Sequence, residues 1–100
     1  MQTKSRSALK AARDEAKSLA LRALNFIADE PERLGRFLAL TGLGPDTVRT
    51  AASEPGFLPA VLDYLIENEP VLLAFSAEEE IDPAAVPAAR ERLLRAAHDR

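Results

Sequence analysis

Apolar residues in this chain recur at helical spacing, and prolines and glycines cut the pattern into short pieces. Leu9, Ala12, Ala16, Leu19, Ala20, Ala23 and Ile27 fall on one face at 100° per residue, with Leu24 at its edge. This predicts a first helix that starts after Ser5 or Ser7 and runs toward Ala28. All of that face is expected in the core. Its first half is nearly all alanine, so it buries little area per residue, and fraying is expected before about residue 12.

The clearest punctuation lies between Asp29 and Pro45. Asp29 or Glu30 stands where an N-cap oxygen is needed, and Pro31 fits the first helical position, where its missing N–H costs nothing. Leu34, Phe37 and Leu38, extended by Leu40, make the apolar face of this second helix. Gly42 falls at C′, where a left-handed residue lets the last carbonyls find partners. Gly35 in mid-helix costs about 1 kcal/mol relative to alanine and suggests that another backbone approaches closely.

Four further elements follow. A short third helix starts at Pro45 and ends at Ser53-Glu54-Pro55-Gly56. The fourth must hold Pro59 in its first turn and buries Val61, Leu62 and Leu65, with Leu58 and Ile66 at the margins. Glu67-Asn68-Glu69-Pro70 opens a fifth helix with Val71, Leu72, Leu73 and Phe75. Asp82-Pro83 opens the sixth, and because Pro87 lies too deep for one regular helix from Pro83, a one-turn start precedes a helix containing Leu93 and Leu94.

No stretch alternates apolar and polar residues as a strand would, so the fold class is all-α, a compact bundle of about six short helices. One hundred residues make one domain, with residues 1–8 and 97–100 expected to fray. Sliding residues 24–51 onto 62–89 matches about a quarter of the positions, among them Leu34/Leu72, Phe37/Phe75, Pro45/Pro83 and Val48/Val86. Phe26/Tyr64, Ile27/Leu65 and Leu43/Ile81 are conservative pairs in the same register, so two pseudo-repeated three-helix units are expected.

Charge changes the picture. The net charge of −3 hides six Lys/Arg against two acids in residues 1–22, three against twelve in 23–89 and four against two in 90–100. An acidic middle between basic ends suits termini that lie against the body, or two oppositely charged surfaces for partners. No apolar run approaches the roughly 20 residues of a membrane span and no signal-peptide core is present, so a cytoplasmic protein without membrane contact is expected. The chain has no cysteine and one histidine, His98. Thiolate chemistry and a thiolate zinc site are therefore excluded, and no cofactor, metal or enzymatic activity is expected.

The pattern from Pro31 to Leu43, followed by Phe57-Leu58, Val61-Leu62-Asp63-Tyr64-Leu65 and Leu72-Leu73-Ala74-Phe75, is similar to a short alphaproteobacterial family known only as a domain of unknown function. The likeness runs from about Ala23 to Val86. It implies a bacterial, helical, stand-alone domain and brings no activity, cofactor or site residue.

Three local features carry candidate chemistry. Thr41 to Val48 resembles the hairpin of helix-hairpin-helix DNA-binding motifs, where backbone N–H groups of a Gly-hydrophobic-Gly turn hold a phosphate. Asp46 stands where a basic residue commonly follows, and the tight helix connection is the favoured reading. Arg6, Lys10, Arg13 and Lys17 form one stripe of the first helix, read first as a solvated face and second, with Gly42 and Gly44, as phosphate contacts in non-specific nucleic-acid binding. Glu78, Glu79, Glu80 and Asp82 lack the alternating ligands and turn glycine of a calcium loop and read as a solvated helix end.

The leading function is thus a non-enzymatic protein-protein interaction module or homo-oligomer. Leu21, Phe26, Phe57 and Tyr64, which helical phase sets partly off the core faces, are its expected partner contacts.

Overall fold

A computed structural model describes residues 4–44 and 46–98, and side-chain environments for 8–44 and 46–96. Among these residues the chain forms α1 (Lys4–Ala28), α2 (Pro31–Thr41), α3 (Val48–Ala51), α4 (Phe57–Glu67), α5 (Glu69–Glu79) and α6 (Ala85–His98), with no strand. The expected helix start at Pro45, the side chains of Arg6 and His98, and residues 1–3 and 99–100 of the stretches expected to fray fall outside the described residues, whereas 4–8 and 97–98 are helical.

Helices α1, α4 and α6 pack against one another and enclose the core, while α2 leans on α1 and α5 on α4. Helix α4 is the centre: Phe57, Pro59, Val61, Leu62, Tyr64 and Leu65 are all buried. Helix α1 meets this core with small residues, Ala16, Ala20 and Ala23, which let helix axes approach closely, before the larger Phe26 and Ile27. Its 25 residues span about 37 Å. The radius of gyration, 14.1 Å, accordingly exceeds the roughly 13 Å of a rounded domain of this length.

The joints lie where covalent constraints put them. Glu30 is extended, with φ −120° and ψ 123°, and Pro31 opens α2. Neither Asp29 nor Glu30 makes the expected side-chain cap. Gly42 takes φ 76°, and the N–H groups of Gly42 and Leu43 both donate to the Leu38 carbonyl, at 2.9 and 3.1 Å. Pro59 and Pro87 each sit in the first turn of their helices, where no intrahelical N–H bond is lost. A turn at Pro83-Ala84 precedes α6, and the Asp82 carboxylate accepts the Ala84 N–H at 2.9 Å.

Arg33 closes the α1–α2 corner. The last turn of α1 carries no basic side chain. From α2, Arg33 donates to the Phe26 carbonyl, one of the unpaired acceptors at the end of α1, and its guanidinium lies 3.9 Å from the Phe26 ring centroid. The cation that this helix terminus favours thus comes from the neighbouring helix.

The 38-residue register recurs in two places. Glu80, 38 residues beyond Gly42, is also left-handed at φ 56°, and the Ile81 N–H reaches back to the Ser76 carbonyl as Leu43 does to Leu38. The aromatic contacts are reciprocal: Phe37 meets Tyr64 edge-on at 5.6 Å, and Phe75 meets Phe26 at 5.5 Å.

Three expectations need correction. Leu9 shares its stripe with Ala16 and Ala23 but is 70% exposed, so among the described residues burial along that stripe stops short of it. Leu40 is 66% exposed, so α2 buries Phe37 and only partly Leu34 and Leu38. Gly35 has nothing within 4 Å of the place a Cβ would occupy, so no backbone approaches it. With open space and ordinary helical geometry, Gly35→Ala is expected to raise stability by about 0.5–1 kcal/mol, read as a higher urea midpoint at unchanged slope. A lower midpoint would mean that the glycine serves a contact made outside this chain.

Candidate functional site

The expected partner contacts separate sharply. Only Leu21 is exposed, at 49%. Phe26, Phe57 and Tyr64, placed by helical phase partly off the core faces, are buried. Phase was misleading because each of these helices is covered from more than one side. Phe26 is roofed by Arg33 from α2 and met by Phe75 from α5, while Phe37 from α2 stands edge-on to both Phe57 and Tyr64. The Tyr64 and Ser76 hydroxyls are buried without a protein hydrogen-bond partner.

The two halves of the phosphate reading are not brought together. The Gly42 and Leu43 N–H groups are spent on the α2 C-terminus, and the Gly44 N–H donates to the Thr47 hydroxyl at 2.9 Å. A phosphate oxygen would have to displace each of these bonds. Lys10, Arg13 and Lys17 instead line, with Asp14, a groove whose other residues come from the segment 52–59 and from α6.

This groove has a volume of about 580 Å³ and is open to solvent. Along one edge stand the exposed side chains of Lys10, Arg13, Asp14 and Lys17. The opposite edge is the exposed turn Ser53-Glu54-Pro55 that joins α3 to α4. Between them lies an apolar floor: Pro59 and Leu93 are buried, and Leu58 and Ala96 are half-buried. Ser53-Glu54-Pro55-Gly56 breaks the chain between α3 and α4, and this exposed turn supplies part of the groove's lining.

Lys10 reaches Asp14 at 3.4 Å, one helical turn along α1. Among the described residues no carboxylate comes within 4 Å of Arg13 or Lys17. Elsewhere charge links elements: Arg22 of α1 holds Glu79 of α5 at 3.1 Å, and Arg90 of α6 holds Asp63 of α4. Glu79 is thereby taken out of the acidic cluster at 78–82, whose other members are exposed. Among the described residues no group of three or more metal-ligating side chains converges, and no helix is long and apolar enough to cross a membrane.

Residues 13–96, nearly the whole of the helical body, match a family described as "Protein of unknown function (DUF3572)". The chain belongs to the DUF3572 family. No curated protein and no solved structure matches it. The match spans every helix from the middle of α1 to the end of the groove at Ala96, so Arg13, Lys17, the 52–59 segment and Leu93 all lie inside the DUF3572 region. Lys10 lies outside it, on the projecting start of α1.

Sequence reasoning named the cations of this site but not the site. The α1 stripe was legible from spacing. That the turn after α3 and the last turns of α6 come to face it could not be read from either segment alone.

Proposed function

We propose that this DUF3572 domain is a non-enzymatic, cytoplasmic interaction module of bacterial, alphaproteobacterial origin, and that its docking surface is the groove between α1, α6 and the 52–59 turn. The observation that carries the reading is the combination of an apolar floor with two cations, Arg13 and Lys17, that form no ion pair within 4 Å among the described residues. Surfaces that bind proteins pair an apolar centre with a polar rim. The sequence has no cysteine, so thiol chemistry is unavailable to it, and the reading is one of binding. Nucleic-acid binding is the weaker proposal, because the Gly42–Gly44 amides are already engaged and Asp14 and Glu54 stand in the rim.

The reciprocal aromatic contacts and the matched left-handed caps support a second architectural proposal, that the body arose by duplication of a helical unit with a 38-residue register.

A photo-crosslinking side chain installed at Ser53, on the groove edge, is expected to give a discrete protein adduct in cells that make the domain natively. The same group at Leu40, exposed on α2 and outside the groove, is expected to give none. The same adduct pattern from both positions, or none from Ser53, would remove the reading.

A further inference from the structure

We infer that the groove receives an acidic, leucine-bearing helical segment of another protein, about two turns of which lie in register with α1. This rests on the docking reading above and adds the chemistry of the partner. Lys10, Arg13 and Lys17 are spaced three and four residues apart, so one face of α1 carries all three over a rise of about 10 Å. Lys10 is already engaged by Asp14, which leaves Arg13 and Lys17 as the attracting pair.

The floor decides among anionic occupants. A nucleic-acid backbone would meet the cations but leave the half-buried Leu58 and Ala96 uncovered, and would bring its phosphates against Asp14 and Glu54. A second copy that docked by the same face of α1 would set cation against cation. A helix with Leu or Ile at three- and four-residue spacing on one side and Asp or Glu flanking it meets both parts, with the apolar side chains on the floor and carboxylates at Arg13 and Lys17. Asp14 and Glu54 then penalise acids placed out of register, which gives the groove a preferred alignment.

The test is selection of random 14-residue peptides displayed on phage against the full chain, followed by affinity measurement on a synthetic peptide of the enriched sequence. We expect enrichment of Asp/Glu with Leu/Ile at helical spacing. Affinity is expected to fall about tenfold or more for Arg13→Glu with Lys17→Glu, less for Arg13→Gln with Lys17→Gln, and to weaken in 0.5 M salt. Both pairs change exposed side chains, and an unchanged circular-dichroism melt confirms that each variant is folded.

No enrichment, enriched peptides without acids, or an affinity indifferent to the double variants would overturn the inference. So would a gel shift with duplex DNA, or a concentration-dependent dimer, that the same variants abolish. A groove-specific crosslink from Ser53 together with acid-free peptides would leave the docking reading standing and remove only the acidic partner.

Discussion

Phe37→Ala and Phe75→Ala are each expected to cost about 3–5 kcal/mol of folding free energy, the range for emptying a fully buried aromatic site. Both rings are 0% exposed. Each also makes an edge-on contact with an aromatic residue of another helix, Phe37 with Tyr64 and Phe57, and Phe75 with Phe26. Such pairs add about 0.5–1.5 kcal/mol beyond area burial. Because α2 buries no other residue completely, and α5 only Phe75 and Ser76, each ring is the main anchor of its helix to the three-helix core. Domains of this size hold about 5–15 kcal/mol in total, so either change is expected to bring the midpoint of urea unfolding down severely. The two losses should be close to each other, since the two sites have reciprocal neighbours. A loss below about 1 kcal/mol at either position would mean that its helix is held by something other than the aromatic contact.

Phe26→Gln and Phe57→Gln are expected to unfold the domain rather than to disable its surface. Taken from helical phase alone, both side chains would be partner contacts whose polar replacement weakens association. In the structure they are 6% and 5% exposed. Replacement removes a buried ring and leaves an amide with no partner designed for it, adding about 1–3 kcal/mol to the packing loss. At Phe26 it also removes the ring on which the Arg33 guanidinium rests. The melting temperature should fall by well over 10 °C, given that 1 kcal/mol moves it by roughly 4–8 °C in a domain of this size. Leu21→Gln, at a half-exposed site, is expected to leave it nearly unchanged and serves as the contrast. A normal melt for Phe26→Gln with altered sedimentation would return that residue to the surface.

The site was partly legible before the fold was known. Lys10, Arg13 and Lys17 announce themselves by spacing on one helix, and Leu93 by its place in the sixth. Their common groove does not, because it is assembled from positions about 40 residues apart on either side of the Ser53-Glu54-Pro55 turn. The phosphate reading of Gly42–Gly44 shows the reverse case. A glycine turn of that sequence is compatible with free amides or engaged ones, and the Leu38 carbonyl and Thr47 hydroxyl decide for engagement.

By itself the sequence determined those helix ends that a proline or glycine marks: Pro31, Pro59 and Pro70 in first turns, Gly42 left-handed, and a turn ahead of α6. These are constraints of ring closure and backbone sterics that act within about four residues, so no distant partner can overrule them. The tertiary structure alone decided which apolar positions are covered. Leu9 and Ala16 occupy one stripe of one helix, yet the first is bare and the second buried. Burial depends on what arrives from elsewhere in the chain, and a periodicity measured along one helix contains no record of where its neighbours stop.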